Sequence, residues 1–402
     1  MKTICFIVTS FWAYGELTIA LEFALRTRKA GYEPVFLIPP SHENILKQNN
    51  IRYLTLIPGS RKLNLVLLNE IKLTYNPAAV VLADFLNYHF CERHYGLTVD
   101  DLAIFPGKIG AFDIYDFEAT RGGVDTYGFY AKNMKNLSLG SYEFLLQPCP
   151  VNHFEKKKEK EFRYNLFSQL ESRTKEEKES ARRSLGITGD QKILLITSAI
   201  WQQKYRAYKD IVPFVTACNK MLEDVLDTLP ENIRVISIGH QTLYPDRETD
   251  RFTHYDKMLP DQFRKVTSAA DLYVSNNYIS TSMIKMVLSG IPTLLIQNSI
   301  FKKNGAVKWY KYKNRDIPGI LDQCPVAYPF RLFPVGWYRF LHGIVKNNPF
   351  FSLILQAELF AAQELREKIL KIMENQEMFD ERRNAYLESL NKLPSIEKDF
   401  KP

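Results

Sequence analysis

The sequence predicts an α/β protein of two doubly wound domains followed by C-terminal helices. Three observations carry this. Apolar runs of strand length alternate with stretches of helical periodicity, the alternation is played through twice, and a heavily charged segment separates the two rounds in a chain of 402 residues. On this reading residues 1–150 form the first domain, 151–186 a charged linker and lead-in helix, 187–355 the second domain, and 356–402 helices that pack back across both.

The first round opens with "TICFIV", a continuous apolar run of the kind buried on both faces in parallel sheets. A turn, "TSFWAYGE", leads to "LTIALEFALRTRKAGY", apolar at helical spacing and stopped at Gly31, before "EPVFLIPP" resumes a strand. This is a β-α-β unit, and its first turn lies at the carboxyl end of a strand, where open α/β sheets bind ligands. Further strands are expected at "AAVVLADF" and "DLAIFPG". The stretch "FDIYDFEATRGGVDTYGFY" has no clean period and reads as a long loop carrying Asp113, Asp116, Glu118, Arg121 and Asp125.

Beyond Pro148 to Pro150 the texture changes. "TKEEKESARRSLGI" predicts a capped amphipathic helix. The second round then runs "KILLITSAIW" (strand), "FVTACNKMLEDVLDTL" (helix), "IRVISIG" (strand), "LPDQFRKVTSAA" (helix), "DLYVSNN" (strand), "STSMIKMVLSG" (helix) and "PTLLIQN" (strand). From Ala357 the pattern predicts helix nearly to the end of the chain.

Composition excludes several classes. The five cysteines are scattered without a C-x-x-C or a Cys/His spacing suited to a metal, which argues for reduced structural thiols. No run approaches the roughly 18 apolar residues of a bilayer span, and no secretory leader pattern opens the chain, so a cytoplasmic protein is expected. The net charge of +8 suits anionic ligands, but lysines and arginines are mixed with acids even in "EKKKEKEFR", which reads as a solvated face, and no basic-aromatic RNA motif occurs. Nucleic acid is therefore not expected as a partner. The aromatic and basic "PFRLFPVGWYRFLHGIV", Pro329 to Val345, suits core or interdomain packing, with an acceptor-pocket cap or a peripheral membrane contact as alternatives.

The chemistry concentrates in "AADLYVSNNYISTSMIKMVLSGIPTLLIQN", Ala269 to Asn298. A helix N-terminus has unpaired N–H groups and a positive dipole end, so the turn "NNYISTS" would hold a diphosphate, with Asn277, Ser280, Thr281 and Ser282 as side-chain donors and Lys285 as a charge. The plainer alternative is that Ser280 or Thr281 caps the helix and Asn277 forms an Asx-turn. Thr197, Ser198 and Trp201 in "ITSAIWQQKY", and Gly239 and His240 after "IRVISIG", end strands of the same sheet and would face the same crevice. Gln297 and Asn298, closing "PTLLIQN", are counted with them, and Asp84, ending "VVLADF", is a candidate on the first sheet.

Two segments resemble the GT-B superfamily of glycosyltransferases, its UDP-glycosyltransferase and MurG-like branch. "YGELTIALEFALRTRKAGYEPVFL" is similar to that branch's opening Gly-His, amphipathic helix, Gly-His-Glu-Val unit, and counting back from Gly31 places Gly15 and Glu16 on the Gly-His pair. The donor-binding segment of the family, anchored on Gly290 and Pro292, places its histidine on Asn277, its glycine on Ile279, its serine on Ser282 and its ribose-binding glutamate on Lys285. Ile279 removes a permissive backbone position, and Lys285 cannot accept from ribose hydroxyls. The resemblance implies two Rossmann-like domains facing a cleft, a nucleotide-sugar donor on the second and an acceptor on the first, no cofactor and no essential metal. No D-x-D triplet of the metal-dependent GT-A type stands out. The histidine of the family that acts as base is replaced by Glu16, a carboxylate that serves as base or as a helix-capping group. The readings that follow are a glycosyltransferase, a related sugar-nucleotide epimerase or hydrolase, or an inactive binding module of the same fold.

Overall fold

A computed structural model of the chain describes residues 1–402 apart from 127–136, 156–157, 168–171, 188, 200, 203–208, 240–242, 245–250 and 313–314. Its first sheet has seven parallel strands: β1 (Lys2–Ile7), β2 (Tyr32–Ile38), β3 (Arg52–Thr55), β4 (Ala79–Leu82), β5 (Lys108–Phe112), β6 (Phe144–Cys149) and β7 (Glu161–Asn165), in the order β3-β2-β1-β4-β5-β6-β7. β1 is an interior strand, with Cys5 beside Val35 on one side and Val80 on the other, and its run is apolar without alternation because both its faces are buried.

The second sheet comprises β8 (Lys192–Thr197), β9 (Ile233–Ile238), β10 (Phe252–Tyr255), β11 (Leu272–Ser275) and β12 (Thr293–Gln297). Two hairpins follow, β13 (Ile300–Lys303) with β14 (Ala306–Trp309) and β15 (Phe330–Leu332) with β16 (Gly336–Trp337), before β17 (Leu355–Glu358) returns to the sheet. The order β10-β9-β8-β11-β12-β17, all parallel, repeats the plan of the first sheet, so the expected class, two doubly wound α/β sheets with C-terminal helices, is the one observed.

Three local expectations are corrected. "DLAIFPG" is not a strand. Thr98 and Asp101 form a capping box that winds Val99–Ile104 into a short 3-10 helix, and the strand starts only after Gly107, where an added Cβ would lie 2.5 Å from the Ala78 carbonyl oxygen. The charged segment contributes a strand, β7, whose buried Arg163 donates from Nε to Gln147 Oε1 at 2.8 Å. Finally, Ala357 and Glu358 belong to β17, where they pair with Ile296 and Gln297 of β12 and are both buried, and helix resumes only at Ala362–Glu374, Asp380–Leu390 and Ile396–Asp399.

The last of these helices docks on the first sheet. Arg26 Nε donates to Glu397 Oε1 at 2.9 Å, and the Phe400 ring lies 5.0 Å from Phe23 and 5.4 Å from Phe162. The helix Gly15–Lys29, which follows β1, meets the helix Thr281–Leu288, which follows β11, so the carboxyl ends of the two sheets converge on one space.

Candidate active site

That space is a cleft of about 450 Å³. Its first wall is built from the turn after β1. Glu16 enters at the second residue of the helix Gly15–Lys29, at 8 % exposure, and lines the cleft together with Gly15. One Glu16 oxygen accepts from Asn87 Nδ2. The other is buried and makes no well-formed hydrogen bond among the described residues. Burial pushes the Glu16 carboxyl up to about 8; the neighbouring Asp84 charge adds to the shift, and the Ser10 hydroxyl draws it slightly back.

Asp84 stands behind this wall. Its Oδ1 caps the helix Phe85–Tyr95 by accepting from Leu86 N at 2.8 Å and Asn87 N at 3.2 Å, while Oδ2 accepts from Tyr115 Oη at 3.2 Å and Asn87 Nδ2 at 3.3 Å. Burial raises Asp84 to about 7 against these bonds, and Asp113, itself buried and raised to about 6, pushes in the same direction. Asn87 thus bridges two carboxyl groups that both resist ionisation. Near neutrality this buried array retains protons that two exposed carboxyl groups would have released.

The second wall is the turn after β11. Asn277, Ser280, Thr281 and Ser282 all line the cleft. Two of them also hold the turn itself: Asn277 Oδ1 accepts from Ile279 N at 3.0 Å, an Asx-turn, and Ser280 Oγ accepts from Met283 N at 3.4 Å as the helix cap. Thr281 and Ser282 occupy the first turn of the helix, where backbone N–H groups have no partner within the helix. Ser198 and Trp201 reach the same space from β8, and Gly239 packs so tightly on Ser198, with φ +113, that a Cβ there would lie 2.1 Å from the Ser198 carbonyl oxygen.

Other predicted site residues are not brought to the cleft. Lys285 points back toward the lead-in segment, its Nζ 5.5 Å from the Phe167 ring centre. Gln297 is spent on structure, donating to Glu358 Oε1 at 2.9 Å and accepting from Tyr278 Oη and Arg331 Nε, each at 3.2 Å. Asn298 holds the start of the β13 hairpin through Ile300 and Tyr328. The Thr197 hydroxyl pairs with Tyr273 Oη at 2.5 Å. His240 lies outside the described residues. Among the long-loop acids, Asp125 fastens the β15–β16 segment by accepting from Arg339 N at 2.7 Å and Phe340 N at 3.0 Å.

Residues the sequence reading passed over complete the cleft. Trp12 and Tyr14 come from the first turn, Asn87 from the helix Phe85–Tyr95, Tyr115 from the loop after β5, and Leu332, Val335 and Trp337 from the β15–β16 hairpin. For the last three the sequence offers the segment Pro329 to Val345 as an alternative cap on an acceptor pocket without singling out these residues; nothing in the sequence points from Asn87 to Glu16, 71 positions away. Among the described lining residues Glu16 and Asp256 are acidic and none is lysine or arginine. Among the described residues no group of three or more His, Cys, Asp or Glu could hold a metal ion, and no helix is long and apolar enough to cross a membrane.

Two parallel sheets whose carboxyl ends face one cleft, closed by a C-terminal helix returning to the first sheet, define the GT-B fold, and solved structures bear this out. Spinosyn forosaminyltransferase SpnP is 10 % identical with a TM-score of 0.54, covering 99 % of this chain and 96 % of its own. HepE from Anabaena in complex with UDP is 10 % identical with a TM-score of 0.54, covering 98 % and 96 %, and MurG from Acinetobacter baumannii is 11 % identical with a TM-score of 0.51, covering 98 % and 96 %. The chain itself belongs to the family DUF6365, described as a family of unknown function, which it matches over residues 23–401. No curated protein matches it.

Proposed function

We propose that the protein is a glycosyltransferase that moves a sugar from a nucleoside-diphosphate sugar to a hydroxyl or amine acceptor by direct displacement. One observation carries this reading: a buried carboxyl raised to about 8, Glu16, and the N-terminal turn of the helix Thr281–Leu288 line the same cleft. The helix turn supplies backbone N–H groups and a positive dipole end to a diphosphate, with Ser282 and Thr281 adding hydroxyl donors. With no described cation in the lining, these neutral donors carry the phosphate charge.

Glu16 is the base. Held by Asn87 and shielded from water, its carboxylate takes the proton from the acceptor as that oxygen or nitrogen attacks the anomeric carbon. Burial that makes Glu16 a weak acid makes its anion a stronger base than an exposed carboxylate. Asn87 and Asp84 orient it. No cofactor is required by these roles, and the donor is a co-substrate.

The test is a calorimetric titration of UDP, GDP, dTDP, CDP and ADP, without added metal, into the wild type and Ser282→Ala. Selective binding of one nucleotide, weakened about 5- to 10-fold by the substitution, is expected from loss of one hydrogen bond to a charged group. Absence of binding to any of the five at millimolar concentration would remove the donor site. With the donor identified, product analysis with and without acceptor separates transfer from epimerisation or hydrolysis of the sugar nucleotide.

A further inference from the structure

We propose that Tyr115 is a positioning residue that ties the acid pair of the first wall to the second domain, so that the seat of the β15–β16 hairpin sets which of Glu16 and Asp84 carries the charge. The inference rests on the glycosyltransferase reading only for what the pair then does. The connection itself is made of direct contacts. Tyr115 is buried in the loop after β5; its hydroxyl donates to Asp84 Oδ2 at 3.2 Å, and its ring lies edge-on to Trp337 at 5.2 Å and to Phe340 at 6.1 Å. Engaged at both ends, the side chain passes a shift of the hairpin on to Asp84.

The hairpin is fastened to both domains. On the second-domain side Asn277 forms a bridge with Leu332, Tyr278 N donates to Arg331 O at 3.2 Å and Phe333 N to Asn276 O at 3.0 Å, so its first strand continues the turn after β11. On the first-domain side Thr126 forms a bridge with Gly336, Trp337 N donates to the Asp125 carbonyl at 3.0 Å, and the Asp125 carboxylate accepts from Arg339 N and Phe340 N. These bonds hold Trp337 at φ +53, a left-handed conformation that a bulky residue keeps only where its surroundings enforce it. An unbroken line of contacts therefore runs from the turn after β11 through the hairpin and Tyr115 to Asp84, Asn87 and Glu16.

The groups facing Asp84 give Tyr115 its leverage. They are Glu16 across Asn87, Asp113 from the loop after β5, Cys91 on the helix Phe85–Tyr95, and Tyr142 ahead of β6, and none of them is a cation. An anion at Asp84 is favoured instead by hydrogen-bond donors: two amides fixed by its own helix, the Asn87 side chain it shares with Glu16, and the Tyr115 hydroxyl that the hairpin positions. One hydrogen bond to a carboxylate moves its titration by about one to two pH units, as much as the step from about 7 at Asp84 to about 8 at Glu16. With Tyr115 in place the charge sits on Asp84 and the proton on Glu16; with Tyr115 withdrawn the proton passes to Asp84 and Glu16 becomes the anion. Displacing the hairpin from the turn after β11 thus arms the base.

Infrared difference spectroscopy of the full-length protein without nucleotide tests this, since a protonated carboxyl absorbs apart from a carboxylate. Between about pH 7 and 8, Glu16→Gln in the wild type should remove one protonated-carboxyl band. In a Tyr115→Phe background the same substitution should remove less than about half of that intensity, because the proton has moved to Asp84. Asp125→Ala, which releases Arg339 N and Phe340 N, should act in the same direction. In turnover, Tyr115→Phe should move the rise of rate with pH lower by about half a unit to one unit, and should add no further movement in an Asp84→Asn background. A merely structural loss lowers the rate at every pH alike. A folded Tyr115→Phe in which Glu16→Gln removes the full band overturns the proposal, and so does an Asp125→Ala that leaves the band as in the wild type; if Tyr115→Phe does not fold, Asp125→Ala decides alone. The infrared measurement needs neither nucleotide nor turnover, so its failure leaves the nucleotide titrations untouched, and their failure leaves its result standing.

Discussion

The two sheets share one strand order, yet their carboxyl ends are chemically opposite. After β1 and β4 the chain places Glu16 and Asp84, buried acids raised to about 8 and about 7, joined by Asn87. After β11 it places neutral hydroxyls and an amide, several of them already satisfied by the turn they build. The fold supplies the meeting point, and the residues in two short turns set a costly wall of buried acids against a stable wall of neutral donors, the reactive and receptive sides of the proposed site. Breaking the costly wall should have the largest effect. Glu16→Gln keeps the shape and the bond to Asn87 while removing the proposed base, so the proposed turnover of a nucleotide sugar should fall by about 10²- to 10⁴-fold, with nucleotide affinity within about twofold of the wild type. Initial-rate and calorimetric measurements on the same preparation check both halves.

The contrast also has a pH signature. If the Glu16 anion is the base, the rate should rise about tenfold per pH unit below pH 8 and level off above it. Stability runs the other way. Glu16 is raised from 4.5 to about 8 and Asp84 from 3.8 to about 7, so between about pH 4 and 8 the folded chain holds protons that the unfolded chain has released, and stability falls as pH rises through that window. Glu16→Gln should therefore melt a few degrees higher than the wild type at pH 8.5 despite its lower turnover. Asp84→Asn keeps the helix cap but removes the neighbouring charge, and should move the rise in rate to lower pH. An unmoved profile would separate Asp84 from Glu16.

On the receptive wall, two serines separated by one residue should respond in different measurements. Ser280→Ala loses the cap on the helix Thr281–Leu288 and should cost about 0.5–2 kcal/mol of stability, read by chemical denaturation. Ser282→Ala should leave the denaturation midpoint in place and weaken nucleotide binding. Equal loss of stability in both variants would reduce the turn to a structural cap.

Much of this division is legible in the sequence. The apolar runs reveal β1, β4, β8, β11 and β12 because strands buried on both faces admit little else, and "NNYISTS" announces a strand-to-helix turn by its polarity. What stays hidden depends on contacts between distant segments. Asn87 looks like any residue on a capped helix until folding brings it to Glu16, and β17 reads as helix because its pairing with β12 is formed across some 60 residues. Trp337 is conspicuous as an aromatic, but its left-handed backbone is imposed by Asp125, more than 200 positions earlier.

Lys285 shows the limit of spacing as a guide, and its substitution is expected to do least. It occupies the fifth position of the helix Thr281–Leu288, which by sequence alone puts a positive charge one turn from a diphosphate. The helix turns that side chain outward, so that its ammonium lies over the Phe167 ring rather than in the cleft. Lys285→Ala should then lower the melting temperature by no more than about 1 °C and leave nucleotide affinity within about twofold of the wild type. A tenfold loss of affinity, with a reduced salt dependence of binding, would mean that Nζ swings to the phosphates when the donor enters. The receptive wall would then gain a charge on binding that it lacks when empty.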